Sequence, residues 1–180
     1  DEHGVLLESA VHYRDDRTLG MQEEVFKAIP KDELYDMTGN QFENFNTVFQ
    51  LYSLVQKRPW ILERADKLLL TPDLFNYFLT GEKKAEYTMS TTTQLMDARN
   101  KVWSEKILDA LQIPKEIFPE IVPSGTVVGS LSDDICEELG IQPAKVIAVA
   151  SHDTQSAVVA VPTQEEDFMF ISCGTWSLFG

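Results

Sequence analysis

Only two cysteines, Cys136 and Cys173, occur in the 180 residues. A disulfide framework is therefore not expected, and a reducing compartment such as the cytoplasm is the better setting. Basic residues are also scarce, with 15 lysines and arginines against 29 aspartates and glutamates and a net charge of -14. This balance repels phosphate backbones and anionic lipid, which argues against general nucleic-acid or membrane binding. It leaves room for a nucleotide, because local backbone amides and Mg²⁺ hold phosphates within acidic proteins. No run approaches the roughly 20 apolar residues needed to cross a bilayer. No basic, apolar and small-residue succession opens the chain, so a secretory leader is not expected. A P-loop and a GxGxxG turn are both missing, which weighs against P-loop hydrolysis and dinucleotide redox chemistry. His3 and His12 have no partners at metal-ligand spacing, so no zinc site is expected.

What is there reads as an ordinary globular chain. Hydrophobic residues at 43% and charged residues at 24% suit one sizeable core, or one domain with a piece of a second. Residues 5–13 mix apolar and polar positions before the charged run "RDDRT", which predicts a strand and then a loop. Helices are expected over residues 21–28, over "KDELYDMT" up to Gly39, and over residues 46–58, where Val48, Leu51, Tyr52 and Val55 share a face. "WILERADKLLL" has the same periodicity, and "TPDLFNYFLTG" shows a Thr71 cap, an early proline and a stop at Gly81. Phe42, Phe45, Phe49 and Tyr52 are expected in the core. "EYTMSTTTQLMD" suits a loop with strand character, residues 103–111 a helix, "GTVVGSLS" a strand, and "SDDICEELG" a helix started by Ser132 or Asp133 and ended by Gly140.

The last third changes character. "KVIAVA" is continuously apolar, as in a strand buried on both faces, and "TQSAVVAV" lacks a polar face, as in a deeply buried helix. Gln164 to Asp167 forms a polar break, and "DFMFISCGTWSLF" reads as two strands around a small-residue turn. An opening "DEHGVLLESAVHYRD" with no strand before it and an end in mid-pattern give the sequence the look of a segment excised from a longer protein.

Two stretches offer chemistry. Strand "KVIAVA", loop "SHDT" and helix "TQSAVVAV" make a βα unit, and ligands in such sheets bind outside the carboxyl ends of the strands, where His152 and Asp153 fall. Asp153 has two readings, helix N-cap or functional carboxylate, and a helix N-terminus favours the anion in either. In "SCGTWS" the turn lets Gly174, Thr175 and backbone N–H groups approach phosphate oxygens, although a plain hairpin has the same composition. Arg14, Asp15, Asp16 and Arg17 form a charge cluster, read first as self-paired and solvated and second as a polar substrate contact.

"SHDTQSAVVAVP" and "FMFISCGTWSLFG", with "HYRDDRT", "LYDMTGNQFENFNTVFQL", "LLLTPDLFNYFLTGEKKAEYTMSTTTQL" and "GTVVGSL" in that order, give a chain that resembles the FGGY carbohydrate kinases along essentially its whole length. The resemblance implies an α/β fold of the actin/hexokinase (ribonuclease H-like) ATPase type, with ATP and sugar between two lobes. Residues 1–163 would be the latter part of the first lobe and residues 164–180 the opening hairpin of the second. By position, Asp153 would be the general base, His152 and Thr154 sugar contacts, and Thr175 with Gly174 nucleotide contacts. The implied reaction transfers the ATP γ-phosphoryl group, with Mg²⁺, to the 1-hydroxyl of L-rhamnulose. L-fuculose or another ketose is the alternative substrate, and a non-catalytic sugar-binding relative the alternative class. The family's first phosphate loop and its adenine site have no counterpart in this sequence, so the segment alone is expected to be inactive.

Overall fold

In the computed structural model, which describes residues 1–165 and 167–180, a helical layer forms first and short strand pairs follow. The layer comprises α1 (Met21–Ala28), α2 (Lys31–Thr38), α3 (Thr47–Lys57), α4 (Pro59–Arg64) and α5 (Thr71–Thr80). Arg58 ends α3 and precedes α4 at φ -146° and ψ 55°, because Pro59 disfavours helical backbone in the residue before it. Gly81 stops α5 at φ 77°, and its N–H donates to the Tyr77 carbonyl at 2.7 Å. That left-handed backbone is one glycine adopts without steric cost. Thr71 is the first helical residue of α5 rather than its cap, a position that Leu70 occupies without a side-chain bond.

The core sits where the apolar faces of these helices meet. Val48, Phe49 and Leu51 of α3, Val25 of α1 and Leu34 of α2 are buried together with Leu95 and with Ile107 and Leu108 of α7 (Glu105–Ala110). Phe42, Tyr52 and Val55 pack against this cluster, partly buried. The helical spacing thus predicted the inward face of α3, since residues three and four apart line one side. The helix expected over 103–111 starts later. Val102 and Trp103 form β3, paired antiparallel with β2 (Met96–Asp97), and the Trp103 indole donates to the Pro119 carbonyl at 2.7 Å.

The remaining strands are short. β1 (Lys84–Glu86) runs parallel to β4 (Glu120–Val122), with Glu86 opposite Val122. α6 (Tyr87–Thr91) follows β1 without a break. β5 (Val127–Ser130) pairs antiparallel with β6 (Lys145–Ile147) through a register shift between Val127 and Gly129, and α8 (Asp133–Leu139) connects them. α9 (Asp153–Val159) follows β6, and β7 (Ile171–Cys173) pairs with β8 (Ser177–Phe179) as the expected hairpin.

Several expectations fail for physical reasons. Residues 5–13 form no strand: among the described residues no strand pairs with them, and the Asp1 carboxylate turns the chain by accepting from the N–H groups of His3 and Val5. The helix expected through "WILERADKLLL" ends at Arg64, because Leu68 donates its N–H to the Ile117 carbonyl at 2.7 Å instead of continuing a helix. "EYTMSTTTQLMD" has the expected strand character at its ends, Glu86 in β1 and Met96–Asp97 in β2, but its middle forms α6 instead of a loop. Neither β6 nor α9 is deeply buried, with Ile147 48%, Val149 64% and Val159 85% exposed. Among the described residues, β6 has one strand partner, β5, and nothing covers the outer side of α9. The polar break at Gln164 to Asp167 contains Glu166, which lies outside the described residues.

Phe49 is fully buried, whereas Phe75 on α5 is 61% exposed. Phe49→Ala is therefore expected to lower the unfolding free energy by about 3–5 kcal/mol in urea titrations. Phe75→Ala should change it by less than about 0.5 kcal/mol.

Candidate active site

At the end of β1 the Glu86 side chain, fully buried, turns back on the chain that follows it. One oxygen, Oε1, accepts from the Thr88 N–H at 3.0 Å and the Ser124 hydroxyl at 2.6 Å. The other, Oε2, accepts from the Thr88 hydroxyl, the Met89 N–H at 3.2 Å and the Ser151 N–H at 3.3 Å. Two of these N–H groups lie in the first turn of α6, so the carboxylate caps that helix and starts it where a loop was expected. Burial by itself would raise the carboxyl's proton affinity. The Ser124 hydroxyl and the hydroxyl and N–H of Thr88, helped by Met89, outweigh it and hold Glu86 below the usual range.

The loop between β6 and α9 is fastened to α6. His152 donates its N–H to the Thr88 hydroxyl oxygen at 3.1 Å, and Gln155 donates its side-chain amide to the Thr91 hydroxyl at 2.6 Å. The Ser156 hydroxyl reaches back to the Ala150 carbonyl at 2.6 Å. Asp153 is the first residue of α9, and His152 occupies the cap position. Asp153 Oδ1 accepts from the adjacent Thr154 N–H at 2.7 Å, and its side chain is 99% exposed. The N-cap reading of Asp153 therefore does not describe its bonding: its carboxylate projects outward instead of closing the first turn. His152 is mostly covered, and its Nδ1 is buried without a hydrogen-bond partner.

All five residues singled out from sequence, His152, Asp153, Thr154, Gly174 and Thr175, line one cleft of about 620 Å³. The α9 N-terminus forms one wall and the β7–β8 turn another. Nothing lies within 4 Å of where a Cβ on Gly174 would sit, so the turn presents open backbone to the cleft. A third wall, carrying Asn40, Gln41, Phe45 and Asn46, was not anticipated. Asn46 donates to the Thr92 carbonyl at 3.0 Å, Asn40 donates to the Thr91 carbonyl, and Val48 donates its N–H to the Thr93 carbonyl at 3.0 Å. This wall is thus also bonded to α6 and the residues just after it. Phe45 is the exception among the aromatics expected in the core: it faces Trp176 of the hairpin, with ring centroids 6.0 Å apart. The clustering of amides in "TGNQFENFN" was the available signal for this wall, whereas nothing local distinguished Glu86 from a surface glutamate.

Among the described residues, no ion pair joins Arg14, Asp15, Asp16 and Arg17, so the self-paired reading fails. Asp15 instead accepts from the Arg17 N–H, and the Arg17 guanidinium donates to Gln50. Arg14, Asp15 and Asp16 border a smaller pocket that shares Phe45 and Trp176 with the main cleft. No group of three or more His, Cys, Asp or Glu side chains able to hold a metal ion occurs among the described residues. Mg²⁺ requires several oxygen ligands, and the cleft brings only Asp153 and Glu43 as carboxylates. The residues present do not make a magnesium cage by themselves.

The fold is that of an actin/hexokinase-like sugar kinase. The solved xylulose kinase from Rhodospirillum rubrum superposes with a TM-score of 0.79 at 19% identity, over 89% of this chain and 34% of that one, a likeness of fold. Residues 1–160 match the N-terminal domain of the FGGY family of carbohydrate kinases, and the chain belongs to that family. It is 48% identical over 180 residues to the rhamnulokinase of Oceanobacillus iheyensis, covering all of this chain and 38% of that protein. Identity to the rhamnulokinase of Halalkalibacterium halodurans is 46%, with the same coverage. The chain therefore spans about 38% of the length of these relatives.

Asp73, in the first turn of α5, stands behind Glu86. It is 2% exposed, its Oδ1 accepts from the Glu86 N–H at 3.0 Å, and its Oδ2 has no partner. Burial pushes its carboxyl up from 3.8 to about 6, with the Glu86 N–H opposing and the Glu86 charge adding to the rise. Between about pH 4 and 6 the folded protein thus keeps a proton that the unfolded chain has released, and stability falls as pH rises through that window. At neutral pH the loss is at most about 3 kcal/mol, since each tenfold gain in proton affinity corresponds to about 1.4 kcal/mol. Asp73→Asn keeps an acceptor for the Glu86 N–H and removes the titration. Its stability relative to the parent should therefore rise between pH 4 and 7 in urea unfolding series.

Proposed function

We propose that this chain is part of an ATP-dependent kinase that transfers the γ-phosphoryl group to the 1-hydroxyl of L-rhamnulose. The observation that carries the reading is the convergence of His152, Asp153, Thr154, Gly174 and Thr175 on one cleft in a chain 48% identical to a rhamnulokinase. Residues 1–163 then form the latter part of the first lobe, and residues 164–180 begin the second. The protein works in the cytoplasm, where free thiols such as exposed Cys173 remain reduced.

The chemistry follows from the placement of the carboxylate. The sugar 1-hydroxyl oxygen bonds to the γ-phosphorus while its proton passes to Asp153. The bond from that phosphorus to the β,γ-bridging oxygen breaks, and ADP leaves with the electron pair. Such a transfer runs through a loose transition state that asks for positioning and charge stabilisation more than strong basicity. The bond from the Thr154 N–H to Oδ1 leaves Oδ2 available for the proton. His152 and Thr154 contact the sugar on the same wall. Thr175 and the open backbone at Gly174 approach the nucleotide phosphates from the other. Mg²⁺ travels with the ATP phosphates, and no residue of this chain is assigned to it. The 180 residues alone are expected to be inactive.

In the full-length enzyme, Asp153→Asn should lower kcat by about 10²- to 10⁴-fold in a coupled ADP-release assay, and activity near the parent level would refute the general-base role. Thr175→Val should raise KM for ATP several-fold and leave KM for sugar near the parent value, as expected for a contact to one substrate only. In a panel of ketoses, L-rhamnulose should give the highest kcat/KM, and clear preference for L-fuculose or another ketose would replace the sugar assignment.

A further inference from the structure

Among the described residues, the His152–Asp153 loop lies between a strand with one partner and a helix with no buried residue. On the strand side Ala148 is buried with Val122 and Val128, whereas Ile147 and Val149 on either side of it are largely exposed. Beyond that anchor, the loop is held against the cleft by polar contacts. Two backbone N–H groups of the loop reach back to the β1–α6 junction: that of Ser151 to Glu86 Oε2 at 3.3 Å, and that of His152 to the Thr88 hydroxyl oxygen at 3.1 Å. The Thr88 hydroxyl donates in turn to the same Glu86 oxygen. Since that hydroxyl hydrogen is committed to Glu86, its oxygen is oriented to accept from His152. The acceptor set is rigid, because Glu86 is fully buried and is also held by Ser124 and by the N–H groups of Thr88 and Met89.

We infer that Glu86, acting through Thr88, is the positioning residue that fixes the Ser151–His152 backbone and thereby aims Asp153 into the cleft. The inference rests on the reading of Asp153 as general base. Glu86 touches neither substrate, and its effect is to restrict where the reacting carboxylate can be. A buried carboxylate suits this task better than a neutral side chain, since charged acceptors make shorter and stronger bonds to backbone N–H groups. Glu86→Gln keeps the volume but turns an NH₂ group toward an N–H that needs an acceptor.

The test uses the full-length enzyme, assayed by ADP release, with backbone amide exchange followed across residues 148–153. Misplacement of a reacting group by about 1 Å costs on the order of 100-fold, so Glu86→Gln and Thr88→Val are expected to lower kcat by about 10- to 100-fold. Both should speed exchange at Ser151 and His152, and KM for ATP should stay within about twofold of the parent. Thr88→Ser restores the hydroxyl in a smaller side chain and should recover most of the loss, whereas a packing role predicts that it is damaged at least as much as the isosteric Thr88→Val. Parent-level kcat and exchange in folded Glu86→Gln or Thr88→Val, or a Thr88→Ser variant no better than Thr88→Val, would overturn the inference. Should Glu86→Gln not fold, the two Thr88 variants decide. Asp153→Asn in the same assay separates the two readings: if it keeps activity, the general-base role is lost, while amide exchange still judges Glu86.

Discussion

The buried Glu86 carboxylate is the interaction on which the cleft depends. A fully buried anion is tolerable only when its lone pairs are filled, and here five donors fill them. Those donors come from α6, from Ser124 after β4 and from Ser151 after β6. Satisfying one side chain therefore ties together three parts of the chain that share no continuous sheet. The cost of the arrangement is visible in Asp73, whose carboxyl is buried beside Glu86 with one oxygen unpartnered. A second carboxylate so close resists ionisation, because burial and the neighbouring charge both oppose it.

α6 is short, yet two of the three walls of the cleft lean on it or on its immediate neighbours. The His152 loop bonds to Thr88 and Gln155 to Thr91, while Asn40, Asn46 and Val48 bond to the carbonyls of residues 91–93. The β7–β8 hairpin is attached differently, through Trp176 against Phe45. That contact is aromatic and half-exposed, so it permits sliding and tilting more readily than a set of directional hydrogen bonds does. The wall with the carboxylate is thus held more firmly than the wall with the Gly174 turn. Under the proposed kinase reading, such a division suits a site in which one reactant is gripped while the other arrives from a second lobe.

Much of the helical layer was legible in the sequence. The apolar spacing of α3, the proline that separates it from α4 and the glycine stops at Gly39, Gly81 and Gly140 act within a few residues and need no distant partner. The cleft residues His152, Asp153, Gly174 and Thr175 were legible for a related reason, since strand-to-helix loops and glycine turns mark where backbone is open to a ligand, and Thr154 entered through the family resemblance. Burial was misjudged at "KVIAVA" and "TQSAVVAV", because an apolar run reports what a segment can bury against, not whether a cover is present. Residues 5–13 failed likewise, as strand pattern does not create a strand without a neighbour.

The sequence by itself therefore determined the local grammar: which faces are apolar, where helices stop, which polar residues stand at the mouth of a loop, and the ordered motifs of the FGGY family. Only the tertiary structure decided which donors Glu86 gathers, that Phe45 leaves the core to face Trp176, and that Asp153 projects outward instead of capping its helix. The physical reason is range. Helix faces and glycine stops are settled by neighbours three or four residues away, but the acceptors of Glu86 are filled by groups 38 and 65 residues further along the chain. No periodicity within a segment encodes such a meeting.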